Sequence, residues 1–220
     1  WTRLEWWPIA KSCVNGCSEL VSNIAMSLVT MLYNFQLIRL AGEDGVAAYG
    51  VIMYVNLIFL GVFIGYSIGS APVVSYHFGA DNRAELRGLL RRSLGILAVM
   101  SVAMTVLAEA LALPLARIFV GYDAALLEMT RHAFAIFAFS FVLAGFNIFA
   151  SAFFTALNNG LVSAAISFLR TLVFQMLSVL ILPLLFGLDG IWWAITAAEA
   201  FACMISLAFL VAKRKTYRYM

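Results

Sequence analysis

Six long apolar stretches fill almost all of this 220-residue chain and decide its solvent. They run over residues 16–40, 46–76, 88–113, 128–157, 161–187 and 190–212. Each meets or exceeds the ~20 apolar residues needed to cross the hydrocarbon core of a bilayer. Hydrophobic residues make up 64% of the chain and charged residues 11%, against roughly 45–50% and about 25% in soluble domains. Mean hydropathy is +0.98. A water-soluble core has no room for so much apolar surface, so the lipid bilayer is the chain's first partner.

A backbone in lipid has no water to bond, which leaves helices and closed barrels as spanning structures. Barrel strands alternate apolar and polar residues over ~10 positions, whereas Ile58 to Phe63 reads Ile-Phe-Leu-Gly-Val-Phe. The expected fold is therefore an all-α membrane protein, a bundle of six transmembrane helices. Short turns punctuate it at Gly42-Glu-Asp-Gly45, Asn158-Asn-Gly160 and Gly187-Leu-Asp-Gly190. In the longer connection after the second span, Asp81 or Asn82 is placed to cap a helix with Glu85 in its first turn.

Basic residues orient such a bundle, because short cytoplasmic loops collect Lys and Arg. Of the 14 present, Arg3, Lys11, Arg83, Arg87, Arg91, Arg92, Lys213, Arg214, Lys215 and Arg218 fall on one side of a six-span arrangement. That side is expected to be the cytoplasm, with both termini on it. Residues 1–15 mix Arg3, Glu5 and Lys11 with Trp6, Trp7 and Pro8. They are too short and too charged to span, and read as an interfacial linker from a preceding segment. Residues 16–213 form the bundle and 214–220 a basic cytoplasmic tail. The net charge of +3 reflects this asymmetry of loops, and no basic stripe suits nucleic acid.

The polar residues inside the spans are not scattered. At ~100° per helical residue, Glu19, Asn23, Ser27, Thr30 and Asn34 share one arc of the first span. Ser140, Asn147, Ser151, Thr155 and Asn158 share an arc of the fourth, Ser163, Ser167, Arg170 and Ser178 of the fifth, and Thr196, Glu199, Cys203 and Ser206 of the sixth. Polar groups facing lipid are costly, so the stripes should face the bundle interior or a water-filled cavity. Helix-to-helix hydrogen bonds account for Ser, Thr and Asn individually. Their recurrence on span after span points to a solvated pathway.

Among the ionisable groups within the spans, a carboxylate stripped of hydration can exchange a proton or hold Na⁺ with neighbouring oxygens. Glu19, beside Ser22, Asn23 and Ser27, is the first candidate, and Glu199 the second. Arg170 reads as a structural charge, paired with Glu199 or snorkelling to the cytoplasmic face. Gly61, Gly65 and Gly69 form a small-xxx-small ridge for close helix packing, and Pro72 a kink or hinge one turn on. Three cysteines and two histidines give no zinc pattern. There is no nucleophile elbow, HExxH or phosphate loop, so the chain reads as a non-enzyme without a cofactor other than a transported ion.

Several runs resemble multidrug and toxic compound extrusion (MATE) transporters. They are Asn15-Gly-Cys-Ser-Glu-Leu, Gly42-Glu-Asp-Gly-Val-Ala-Ala-Tyr-Gly, Gly69-Ser-Ala-Pro-Val-Val-Ser-Tyr-His-Phe-Gly-Ala, Gly145-Phe-Asn-Ile-Phe-Ala-Ser-Ala-Phe-Phe, Phe168-Leu-Arg and Phe186-Gly-Leu-Asp-Gly-Ile-Trp. The resemblance extends over residues 12–212. It implies one lobe, the second, of a twelve-helix two-lobe transporter, with an N-terminal lobe preceding residues 1–15. It also implies a bacterial inner membrane, and export of amphiphilic or cationic compounds in exchange for H⁺ or Na⁺ as the lobes rock. Glu19 matches the acidic position of the first helix of that lobe, where related exporters carry a cation-coupling carboxylate. Asn23 stands where members of the branch often have a second acid. The cation-coupling set is then Glu19, Asn23 and Glu199, and the substrate pathway takes in Ser27, Thr30, Asn34, Asn147, Ser151, Phe153 and Thr155. A flippase for lipid-linked sugars of the same architecture, and a six-span scaffold with no pathway, remain the alternatives.

Overall fold

A computed structural model describes residues 6–219; between residues 8 and 22 only the backbone and the side chain of Cys13 are described. Helix α1 extends over Trp6–Gly79, but Gly42, at φ 66° and ψ −153°, divides it. The chain reverses there. Tyr33 and Tyr49 stack with ring centroids 4.9 Å apart and planes inclined by 8°, whereas these positions on one straight helix would lie ~24 Å apart. Gly42 needs its glycine for the positive φ. Gly45 needs it for space, since a Cβ there would lie 2.7 Å from that of Ala41.

Helix α2 (Arg83–Val120) is capped by Asn82, whose side-chain oxygen accepts from the Glu85 N–H at 3.2 Å. Asp81 instead adopts φ 55° and pairs with Arg83. The helix passes through Pro114, where the third span was expected to stop, and continues to Val120. Helix α3 (Ala124–Ala138) starts at Asp123, whose carboxylate accepts from the N–H groups of Ala125 and Leu126 at 2.8 and 3.1 Å.

A bend of 49° separates α3 from α4 (Phe141–Ala156), so the span expected at 128–157 is broken. The bonding tightens there, with the Ser140 N–H donating to the Phe137 carbonyl three residues back. Helix α5 (Gly160–Phe168), a π-helical segment (Leu169–Phe174) and α6 (Gln175–Phe186) together form the next crossing. Helix α7 (Leu188–Tyr217) forms the last.

By length and apolar character the described residues give four spanning helices, and a fifth when α3 and α4 are taken together. The reversal at Gly42 splits the first of them, which restores the six crossings of the sequence reading. Helix α4 is central, packing on α1, α2, α5 and α7. Its Phe141, Phe149, Phe153 and Phe154 are buried together with Phe59 and Phe63 of α1. The outer surface is apolar, with Leu57, Ile58, Val99 and Leu184 exposed as lipid-facing side chains should be.

Close helix approach occurs at glycines other than the expected three. A Cβ on Gly145 would lie 2.6 Å from the Phe63 ring, and one on Gly190 would lie 2.3 Å from the Leu182 carbonyl oxygen. Gly61, Gly65 and Gly69 have open space around them. The ridge expected to seat a helix therefore meets none among the described residues. Pro72 lies in a helix whose non-helical residue is Gly42, so the hinge expected there is not expressed as a break.

The tail also departs from a simple basic extension. Helix α7 continues to Tyr217, Arg218 turns back at φ 55°, and Tyr219 is fully buried. The Tyr219 hydroxyl donates to the Leu210 carbonyl at 2.9 Å, and its ring meets Phe153 edge-on at 5.3 Å. Burial, and then the neighbouring Tyr217 phenol, push its proton affinity above the usual tyrosine range.

Candidate functional site

The stripe of the first span points out of the bundle. On α1, Ala25, Val29, Tyr33 and Leu37 are buried. On the far side of the same turns, Asn23, Ser27 and Thr30 are exposed and Asn34 half-buried. With Met26 and Met31 these residues line an open groove of about 570 Å³. The Ser27 hydroxyl donates to the Asn23 carbonyl at 3.2 Å, a bond back along its own helix, and Thr30 is hydrogen-bonded to Tyr49. The Glu19 side chain lies outside the described residues; its backbone position is one turn before Asn23.

The stripes of the fourth, fifth and sixth spans turn inwards, except at the end of the fourth, where Thr155 and Asn158 are exposed. Glu199 of α7 and Asn147 of α4 are 2% and 0% exposed. Arg170, on the π-helical segment, donates through Nε to both Glu199 carboxylate oxygens at 2.8 and 3.0 Å, and through Nη2 to Oε1 at 2.6 Å. Asn147 Nδ2 donates to Glu199 Oε2 at 2.7 Å and to the Glu199 carbonyl at 3.0 Å. A charge this deep survives only when paired and hydrogen-bonded, and here three spans meet around one carboxylate. The pairing left open between Arg170 and Glu199 is made. Among the described residues Asn147 Oδ1 has no hydrogen-bond partner.

A second polar contact joins α4 to α5. Ser151 Oγ lies 2.9 Å from both Ser163 Oγ and Ser167 Oγ, and the Thr155 hydroxyl donates to Ser163 Oγ at 2.7 Å. Ser151, Ser163 and Ser167 thus bond one another across the helix interface rather than face a common channel. Three of the expected pathway residues, Ser151, Asn147 and Phe153, require correction. Asn147 is committed to Glu199, and Phe153, 1% exposed, packs against Phe149, Phe154 and Tyr219 in the core. Ser27, Thr30 and Asn34 stand on the open groove.

Sequence reasoning missed the π-helical segment. Leu-Arg-Thr-Leu-Val-Phe contains neither Pro nor Gly, and the one clue is Arg170 itself, a cation within an apolar span that needs a partner. Such widened turns concentrate at functional positions.

Residues 20–181 match the model of the MatE family. Among solved structures, the chain is similar to an outward-facing multidrug resistance MATE family transporter of the MOP superfamily, at 21% identity and a TM-score of 0.88, covering 97% of this chain and 48% of that one. It is similar to an inward-facing structure of a transporter so described, at 20% identity and a TM-score of 0.86, covering 92% and 47%. It also resembles the bent form of the Vibrio cholerae MATE transporter VcmN, at 19% identity and a TM-score of 0.85, covering 100% and 51%. At these identities the likeness is one of fold. The chain spans about half the length of each of these structures. No curated protein matches it.

Proposed function

The chain belongs to the MatE family, and on that premise we propose that it is the second lobe of a transporter exporting amphiphilic and cationic drugs or toxins in exchange for H⁺ or Na⁺. The observation that carries this reading is the groove on α1, a polar face within a spanning helix that no other described helix covers. Its lining suits a varied amphiphilic cargo. The thioethers of Met26 and Met31 adapt to differing apolar shapes, while the amide and hydroxyl oxygens of Asn23, Ser27, Thr30 and Asn34 receive a polar or cationic end. The opposing wall is assigned to an N-terminal lobe of the same protein, since the chain spans about half of the similar structures.

Coupling is assigned to Glu19 with Asn23 beside it. A carboxylate that accepts either a cationic drug or H⁺ or Na⁺, but not both, exchanges one for the other. Glu199 joins this set only if Arg170 leaves it, because the bidentate pair already balances its charge. Commitment of Arg170 to Glu199 also leaves no free intramembrane base among the described residues for a pyrophosphate cargo, which counts against the flippase. Similar TM-scores to outward-facing and inward-facing structures support a lobe that rocks as one body. The membrane is taken to be a bacterial inner membrane with the basic end of the lobe in the cytoplasm.

The experiment is efflux of a fluorescent lipophilic cation from vesicles holding the intact gene product, with H⁺ and Na⁺ gradients imposed separately. Gradient-driven efflux abolished by Glu19→Gln and at least ~10-fold slower in Asn34→Leu, a loss of ~1.4 kcal/mol, is expected. Efflux indifferent to both substitutions removes the pathway and the coupling from α1.

A further inference from the structure

The start of α2 carries two guanidinium groups that the fold does not use. Arg83 is committed to Asp81, to the Tyr217 carbonyl at 3.1 Å and to the Phe78 ring at 5.2 Å. Arg92 lies 3.9 Å from Glu85. Arg87 and Arg91 are exposed and have neither an ion-pair nor a hydrogen-bond partner among the described residues. They flank a cavity of about 280 Å³ whose remaining walls are Leu90, Leu94 and Tyr219.

The order of these groups along the helix is informative. Arg87 and Arg91 are one turn apart on one face, ~6 Å along the axis, so both forks can converge on one anion and bond its oxygens bidentately. Leu90 lies between them and Leu94 follows on the same face, where the basic stretch gives way to the apolar span. The Tyr219 ring closes the far side and is held in place by its bonds to Leu210 and Phe153. Cations at the rim, an apolar floor beneath and a position at the water–hydrocarbon boundary match a phosphate joined to acyl chains. A free anion would engage the arginines and leave the partly exposed Leu94 unused.

We propose that Arg87, Arg91 and the half-buried Leu94, backed by the buried Leu90 and Tyr219, form a binding site for one anionic phospholipid of the adjoining leaflet. The site stands apart from the α1 groove and does not depend on what is transported.

The test is titration of the intact protein, in neutral detergent, with phosphatidylglycerol, phosphatidylcholine and inorganic phosphate, reading bound lipid by mass and the shift in thermal midpoint. Phosphatidylglycerol is expected to bind and raise the midpoint while phosphatidylcholine does neither at equal concentration. At ~1 kcal/mol per basic residue, Arg87→Gln with Arg91→Gln should weaken phosphatidylglycerol by ~30-fold, whereas Arg92→Gln should leave it within about 3-fold. Leu94→Gln supplies an independent arm that leaves both arginines in place, and should weaken the lipid as well. Undiminished phosphatidylglycerol binding in the double variant, equal binding of phosphatidylcholine, or competition by phosphate as strong as by the lipid would each overturn the proposal.

Discussion

Arg170, Glu199 and Asn147 show how a buried charge shapes this bundle. Removing one partner of such a pair strands the other, at about 3–5 kcal/mol, whereas replacing both by apolar groups is often neutral. Arg170→Leu is therefore expected to lower unfolding stability in detergent by that amount. The double variant Arg170→Leu/Glu199→Leu should recover most of the loss. Equal destabilisation of single and double variants would mean that packing, not charge, holds the three spans together. The sequence places both ions inside spans and on polar stripes, so their burial is legible in it. Their contact is not, because a widened turn in one of two apolar helices shifts which residues face each other and leaves no mark in composition. Asn147 shows the same limit, since a stripe that faces water and one that faces a neighbouring carboxylate have identical spacing.

Helix packing in lipid is hard to read for a related reason. Lipid tails are as apolar as leucine, so a glycine ridge signals that close approach is possible without saying from where. Gly145 meets Phe63, and Gly145→Ala should cost about 1–3 kcal/mol through overpacking, measured as a lower unfolding midpoint. Gly65→Ala, with nothing within 4 Å of its added carbon, should leave that midpoint unchanged or slightly higher. A drop as large as that for Gly145→Ala would mean that the ridge is covered by something outside the described residues. The start of α2 is more legible, because Asn82 acts locally through its own side chain. The bend between α3 and α4 was not, since Ala138-Phe-Ser-Phe141 carries no proline or glycine and long-range packing decides it.

At the scale of the molecule, six crossings and their turns follow from hydropathy and from glycine placement, because bilayer thickness and backbone sterics act on any chain alike. Gly42→Ala tests the first reversal: a side chain at φ 66° costs ~1–3 kcal/mol, so the substitution should lower folded yield and unfolding midpoint, while Gly50→Ala, with open space around it, should lower neither. What hydropathy does not report is which polar face the bundle keeps for itself and which it leaves open, and α1 is the case in point. A trough walled on one side grips a visitor weakly, since half of the surface that excludes water is missing. On the transport reading proposed above, dwell time there would be governed by how long an opposing wall stays near, and the off-rate would become a property of rigid-body movement rather than of any bond along Asn23 to Asn34.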